Sequence, residues 1–301
     1  MMDFIQTTAS SFISLIPVTL AQSFILSFVV LGIMIPFRML SFPDLTSEGA
    51  FPLGGCVCGI LLAAGVAPPL AIAVAFVVGL AAGCCTAIIH LRSGILMSTM
   101  LYSVNLGIMG KSNLSVFGSP TVFDWVPFTE AGFPASKIVV AGLLAVIVLI
   151  ALNLYFKTEK GTAMRAVGSN PDMAEAQGIN VWAATIGGVG IASAFSAAGG
   201  ALMVQSQGFA DVNMGIGILI NGLAALMIGE AFTGKQTVLR QLLAPFVGSI
   251  IYYQLVSLCL AAGMPPPNLK LATGLFVLIM LALPSIRRSR GGAATRETIR
   301  E

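Results

Sequence analysis

Three acidic side chains lie within otherwise apolar stretches of the sequence: Asp44 and Glu48 in FPDLTSEGAF, and Glu230 in IGEAFTGK. A carboxylate at the depth of a lipid bilayer is costly, so its presence suggests a functional role such as binding a solute or an ion. Asp44 and Glu48 are four residues apart and share one face if the segment is helical. Alternatively, Thr46 or Ser47 caps a helix that starts near Glu48, and the acids are hydrated at the ends of membrane spans.

Uncharged polar side chains offer a second set of candidates. Within an apolar segment they recur at helical spacing, at Ser98, Thr99, Tyr102, Ser103 and Asn105. Such a stripe either bonds to neighbouring helices or lines a wet path for a solute. Asn221, inside another apolar segment, poses the same choice.

The composition identifies the kind of protein that must position these side chains. The 301 residues are 57% hydrophobic and only 9% charged, with a mean hydropathy of +0.96. Soluble domains carry about 25% charged residues, so the sequence predicts an integral membrane protein. Apolar runs of spanning length favour helices over a barrel, whose strands would alternate polar and apolar residues.

The five cysteines lie in apolar runs without histidine at ligand spacing, so we expect buried thiols and no metal site.

The fold class expected is therefore an all-α polytopic bundle of about eight to ten spans, several of them broken by Gly and Pro. The segments predicted as helical are 12–37, 49–65, 68–90, 94–110, 138–156, 180–205, 215–232, 241–262 and 269–284. The dense small residues at 187–200 indicate close helix packing. An echo of Glu-Gly-Ala-Phe at 48–51 in Glu-Ala-Phe at 230–232 raises the hypothesis of a two-half internal repeat.

Charge sets the predicted orientation. If the basic tail 287–301 is cytoplasmic and the segments alternate back from it, only Lys111, Lys137 and Lys270 fall outside, and the other twelve of the fifteen Lys and Arg fall inside. This asymmetry follows the positive-inside rule. It places the N-terminus outside, unless 94–110 is re-entrant or one span is really two.

A compact polar insert, 157–179, then lies on the cytoplasmic side of the transmembrane domain, which comprises residues 1–286. Asn170 can cap a helix, Pro171 fits its first position and Asp172 its first turn, while Gly178 can end it. The pattern predicts a helix of about two turns with Asp172 and Glu175 on one face. Because so short a helix is unstable alone, we expect it to be held by the spans or by a partner.

The opposite side carries one sizeable loop, 111–137, with Asp124, Trp125 and Glu130. Its aromatic residues either sit at the level of the lipid headgroups or form a surface for a partner outside the cell.

Nucleotide binding by this chain is not expected. Gly229 to Lys235 has the spacing G-x-x-x-x-G-K, but Gln236 replaces the Ser or Thr that would hold Mg²⁺. The apolar run before it belongs to a membrane helix. No catalytic cluster is apparent either, so we expect a protein that is not an enzyme.

The run GTAMRAVGSNPDMAEAQGI at 161–179 resembles the cytoplasmic loop of permease subunits from ABC importers of the branched-chain amino acid and ribose type. FPDLTSEGAFPLGG resembles the branch encoded with a tryptophan/tyrosine-type substrate-binding lipoprotein. The likeness covers residues 12–284. It implies a coupling region that contacts the ATPase, comprising Gly161, Arg165, Ala166, Asn170, Ala174 and Gly178, together with the helix residues Pro171, Asp172 and Glu175. Where relatives often have Gly-Gly-x-Gly, this chain has Glu230 within its 229–234 stretch.

The resemblance also implies the partners. Two copies of the chain would form the pathway in the bacterial inner membrane, in contact with lipid and not with nucleic acid. A separate ATPase would bind ATP and Mg²⁺, and a periplasmic or lipoprotein binding protein would deliver a small solute. The branch named above favours an amino acid as that solute, in particular an aromatic one. The resemblance places the stretch Asp44 to Gly49, with Thr46 and Glu48, near the translocation path. The further pathway candidates follow from their residue types, and they are Ser98, Tyr102, Asn105, Asn221 and Glu230. The alternative is an ion-coupled secondary transporter that uses the intramembrane acids.

Overall fold

The computed structural model describes residues 2–41, 44–93, 97–125 and 135–265, with six further positions between 268 and 278. Within them, seven helices are long and apolar enough to cross a membrane. This confirms the predicted all-α polytopic bundle. The last predicted segment, 269–284, lies almost wholly outside the described residues, as does the basic tail 287–301.

Ten α-helices form the described part of the chain. They are α1 (Met2–Met34), α2 (Thr46–Ala63), α3 (Pro68–Ser93), α4 (Met97–Met109), α5 (Ala135–Tyr155), α6 (Glu159–Ser169), α7 (Pro171–Ala176), α8 (Val181–Gln207), α9 (Ile218–Thr233) and α10 (Val238–Ala261). A π-helical turn (Ile35–Met39) follows α1, and 3₁₀ turns occupy Val122–Trp125 and Val212–Gly215. Most boundaries agree with the predicted segments within about three residues. The exception is α1, which starts well before residue 12.

Helix α8 lies at the centre of the bundle and packs against α1, α2 and α3. Its small residues allow backbones to touch. A Cβ added to Gly200 would lie 1.9 Å from the carbonyl oxygen of Phe51 in α2, and one added to Gly54 would lie 1.9 Å from that of Ala197. The close packing predicted for the small residues of 187–200 is confirmed.

Replacing Gly54 with alanine should therefore destabilise the bundle. The added methyl group meets backbone that cannot rotate away, and overpacking of this kind costs about 1–3 kcal/mol of folding free energy. Thermal unfolding of the purified protein in detergent measures the effect. Gly107→Ala is the matched control, because no atom of the described residues lies within 4 Å of a Cβ at that position. Equal melting temperatures for the two variants would contradict the prediction.

The two ends of the bundle differ. At the start of α8, Leu40 from the turn after α1 packs on Gly188, and the polar insert with α6 and α7 lies beside them. We call this the insert end. Past the other end of α8, β2 (Phe209–Asp211) pairs antiparallel with β1 (Asn113–Ser115), with Leu114 opposite Ala210. We call this the sheet end. The two strands are an addition to the predicted all-helical architecture.

Three segments are interrupted within the bundle. After the π turn the chain turns back toward the sheet end. Helix α2 begins at Thr46, away from the insert end, because Phe51 near its start already contacts Gly200 of α8. Helix α4 has 13 residues, which gives it a length of about 20 Å, short of the roughly 30 Å of a bilayer core. Helix α9 starts only after the 3₁₀ turn Val212–Gly215. The predicted broken helices are confirmed. Of the predicted span 94–110, the structure describes the helix Met97–Met109, and residues 94–96 lie outside the described part of the chain.

Candidate functional site

The polar insert contains two helices where the sequence predicted one. Thr158 caps α6 by accepting a hydrogen bond from the amide of Gly161 at 3.4 Å. Asn170 caps α7 by accepting one from the amide of Met173 at 3.0 Å, and Pro171 opens that helix. Gly178 follows with a φ of +81°. The predicted capping of the short helix is confirmed, while α6 was not foreseen.

The predicted coupling residues divide into an outward and an inward group. Arg165, Asn170, Pro171, Asp172, Glu175 and Gly178 are exposed. Gly161 and Ala174 are buried and Ala166 is half-buried. A Cβ on Gly161 would meet the backbone of Tyr155 and Phe156 at 2.4 and 2.5 Å. The inward group therefore fixes the insert to the bundle, and only the outward group is free to contact a partner.

Two contacts join the insert to the π turn after α1. A Cβ added to Gly168 of α6 would lie 1.9 Å from the carbonyl oxygen of Met39 and 2.9 Å from Cα of Leu40. Met164 and Val167, on the same helix, belong to the buried apolar core. Helix α6 thus rests with its backbone directly on the π turn.

A cavity of about 240 Å³ lies where the three interrupted segments meet. It is lined by Glu48, Gly49 and Pro52 of α2, by Thr99, Tyr102 and Asn105 of α4, and by Val212, Gly215 and Ile216 of the turn before α9. The structure therefore brings together Glu48, Tyr102 and Asn105 of the predicted pathway residues. The sequence did not foresee the third wall, at 212–216.

The polar groups of this cavity are held by backbone. One carboxylate oxygen of Glu48 accepts a hydrogen bond from the amide of Gly217 at 2.8 Å. The side-chain amide of Asn105 donates to the carbonyl oxygen of Gly49 at 3.3 Å. Gly217 has a φ of +79°, a conformation that glycine adopts without strain. These bonds link the start of α2 to both α4 and α9.

Asp44 and Thr46 lie beside this site and are buried. The Asp44 carboxylate accepts hydrogen bonds from the amide of Thr46, at 2.9 Å, and from its hydroxyl. They form a turn that leads into α2, and neither lines the cavity. Ser98 lies in the first turn of α4, and its side chain is outside the described residues. Asn221, one turn into α9, is half-buried and four residues beyond Gly217.

Glu230 lies elsewhere, at the insert end of α9. Its carboxylate is 5% exposed and accepts two hydrogen bonds of 2.5 Å from Arg38 of the π turn. Lys235 lies 3.0 Å from it on the other side. The stretch with phosphate-loop-like spacing is thus the end of α9 and the turn after it. Glu48 lies in the first turn of α2, whereas Glu230 lies in the last turn of α9. The two stretches that echo each other in sequence therefore lie at opposite ends of their helices.

The loop at the sheet end is partly described. Asp124 accepts hydrogen bonds from the amide and the hydroxyl of Thr121, each at 2.8 Å, so its carboxylate is used within the loop. Trp125 is 65% exposed. The amide of Val122 donates to Gln205 of α8 at 2.9 Å, which fixes this part of the loop to the bundle. Glu130 lies outside the described residues.

The structure adds functional candidates that pattern alone did not select. Met173 projects from α7 with 65% of its surface exposed, although it lay within the motif already recognised. Arg38 became a candidate only through Glu230, 192 residues away in the chain. Met173 could have been selected from the sequence, because it is a large apolar residue between two acids, Asp172 and Glu175.

Comparison with known proteins agrees with this architecture. Residues 16–283 match the family described as branched-chain amino acid transport system / permease component. A tyrosine transport system permease protein of Clostridioides difficile is 36% identical over 90% of this chain and 91% of its own length. An uncharacterised protein of Rickettsia prowazekii is 32% identical over 89% of this chain and 96% of its own.

A nucleoside ABC transporter permease of Lactococcus lactis matches less of the chain, with 28% identity over 58% of this chain and 53% of its own length. No solved structure matches. The family match covers nearly all the membrane helices described above. With seven candidate spans among the described residues, the protein is a multi-pass protein of the inner membrane. The chain belongs to the permease component family of branched-chain amino acid transport systems and is the membrane subunit of an ABC importer.

Proposed function

We propose that two copies of this chain form the membrane pathway for an amino acid, and that a separate ATPase drives them through the polar insert. The ATPase binds ATP and Mg²⁺, and this chain contributes no catalytic group. A binding protein delivers the solute at the sheet end, near Trp125. The similarity to a tyrosine transport permease supports an aromatic amino acid as the solute.

The insert carries this proposal. Arg165, Asp172, Met173 and Glu175 are exposed on two helices whose other faces are held against the bundle. A ligand shifts a conformational equilibrium only through contacts that differ between the two states. A rigidly seated, outward-facing patch can transmit a movement of the ATPase to the spans, whereas a loose loop would absorb it.

Charge supports the side on which the patch lies. The described insert end carries Arg38, Lys157, Lys160, Lys235 and others, while the sheet end carries Lys111 and Lys137. By the positive-inside rule the insert end faces the cytoplasm, where ATP is available.

Reversing the charge of Arg165 together with replacing Met173 by glutamate should reduce ATP-driven uptake at least about tenfold, a loss of roughly 1.4 kcal/mol of coupling. Uptake by proteoliposomes that contain the permease, its ATPase and its binding protein measures this. The variant should keep its melting temperature, since both side chains are exposed. Gly161 is unsuited to the test because its replacement would disturb packing. Arg240→Glu, an exposed charge reversal at the same end, is the control, and equal uptake in both variants would refute the docking role.

The alternative, ion-coupled transport through the intramembrane acids, makes a different prediction. Glu230 is already neutralised by Arg38 and Lys235, which disfavours it as an ion carrier. Proteoliposomes with this chain alone should show no uptake under a proton or Na⁺ gradient. Uptake under those conditions would favour the alternative.

A further inference from the structure

Glu48 gives the cavity between α2, α4 and the turn before α9 a carboxylate. The nine described residues that line the cavity include no Lys or Arg. Arg38 and Lys235 are engaged with Glu230 at the insert end. Glu48 is half-buried and accepts a hydrogen bond from the amide of Gly217. A ligand with a positive charge would give its carboxylate the opposite charge that the described lining does not supply.

Asn105 adds a second acceptor. Its side chain is fully buried, and its Nδ2 donates to the carbonyl oxygen of Gly49. Because a carbonyl oxygen only accepts, this bond fixes the orientation of the amide and leaves Oδ1 as the free acceptor. Oδ1 has no hydrogen-bond partner within the described residues. A buried polar atom without a partner is unusual and calls for an explanation, such as a ligand that supplies the donor.

The remaining polar groups accommodate the same ligand. The hydroxyls of Thr99 and Tyr102 can each accept or donate a hydrogen bond. Tyr102 lines the cavity and is 44% exposed. The volume of about 240 Å³ falls below the roughly 300–1,000 Å³ typical of sites for drug-sized ligands. The cavity suits a small polar group with an organic part that extends beyond it.

We propose that this cavity binds the ammonium group of the transported solute. The Glu48 carboxylate is its counter-ion, Asn105 Oδ1 accepts a second N–H, and Tyr102 flanks the organic part. The cavity then selects for a primary amine, as in a zwitterionic amino acid, and against a carboxylate without one. This inference rests on the proposed function, because it assigns chemistry to the pathway that the function requires.

Three ligands with the same phenol ring separate the contribution of the ammonium group to binding from that of the carboxylate. L-Tyrosine carries both ammonium and carboxylate, tyramine carries only the ammonium, and 3-(4-hydroxyphenyl)propionate carries only the carboxylate. Binding of each to the full-length permease in nanodiscs is measured by equilibrium dialysis with radiolabelled ligand. We expect the first two to bind at least tenfold more tightly than the propionate. Equal affinity for all three, or no binding of either amine at millimolar concentration, would overturn the proposal.

Substitutions in the cavity test whether the preference for amine ligands arises there. Glu48→Gln keeps an acceptor for the amide of Gly217 but loses the charge, and should weaken binding of both amines at least tenfold. Asn105→Leu removes the unpaired oxygen at similar volume and should weaken binding severalfold. Glu159→Gln, an exposed acid on α6, loses the same charge outside the cavity and should bind amines as the wild type does. Unchanged amine binding in folded Glu48→Gln protein would overturn the assignment.

A parallel uptake assay keeps the two proposals apart. If the full transporter takes up tyrosine with ATP but the permease does not prefer amines, only the ammonium site is wrong. If ATP drives no uptake, the proposed function fails first, whatever the permease binds. The wild-type ligand comparison needs no substitution, so it remains decisive even where a variant fails to fold.

Discussion

Replacing Arg38 with alanine should both destabilise the protein and abolish most of its transport. Arg38 donates two hydrogen bonds of 2.5 Å to Glu230, whose carboxylate is only 5% exposed. Removing one partner of a buried ionic pair leaves the other charge uncompensated. Because the Arg38 side chain is 36% exposed and Lys235 remains 3.0 Å away, we expect a loss of about 1–3 kcal/mol in the free energy of unfolding rather than more.

The effect on transport should exceed the effect on stability. Arg38 lies on the π turn that supports α6, and Glu230 lies near the end of α9, whose other end is tied to Glu48 through Gly217. The pair therefore joins the insert to the helix that borders the cavity. We expect at least about tenfold lower ATP-driven uptake, which corresponds to roughly 1.4 kcal/mol of lost coupling.

Further variants isolate the pair. The double variant Arg38→Ala/Glu230→Ala should recover part of the lost stability, because it removes the unpaired carboxylate, and the double-mutant cycle measures the interaction. Arg38→Lys should fall in between, since lysine keeps the charge but not the two-pronged geometry. Arg240→Ala is the exposed control. If Arg38→Ala melts and transports like Arg240→Ala, the pair has no role in either property.

Local signals were sufficient to predict much of the fold. Apolar runs gave most of the spans within about three residues, because a bilayer fixes the length of a helix. The capping of α7 by Asn170 and its end at Gly178 follow from contacts within a few residues of chain. Such features depend little on the rest of the molecule.

Features formed between distant segments could not be predicted. Helix α6 reads as a polar loop and is held by packing on the π turn and α8, which its own sequence does not reveal. The partners of Glu230 are another such feature, since the acid looked like a pathway residue until the fold placed Arg38 against it.

The cavity was only half predictable. Its polar residues on α2 and α4 stood out because they interrupt apolar sequence. Its third wall is formed by Val212, Gly215 and Ile216, which are apolar or small and carry no chemical signal. A single sequence therefore shows which residues are costly to bury, but not which of them meet.

Replacing Gly168 with alanine should uncouple ATP hydrolysis from transport. The new Cβ would lie 1.9 Å from the carbonyl oxygen of Met39 and 2.6 Å from its carbon, so α6 must move off the π turn. Alanine favours a helix more than glycine does by about 1 kcal/mol, so any loss comes from this contact and not from the stability of α6 itself. Overpacking of about 1–3 kcal/mol should lower ATP-driven uptake at least about fivefold while the ATPase continues to hydrolyse ATP.

Gly187→Ala is the matched control for this substitution. Gly187 lies in α8 near the same end of the bundle, and within the part of the chain that the structure describes nothing lies within 4 Å of a Cβ at that position. Both variants gain the same helix propensity, and only one of them meets backbone. Parallel assays of uptake and ATP hydrolysis in reconstituted transporter then decide the matter. If Gly168→Ala and Gly187→Ala show equal uptake, the contact between α6 and the π turn is dispensable for transport. The insert would then transmit its movement by a route other than the π turn.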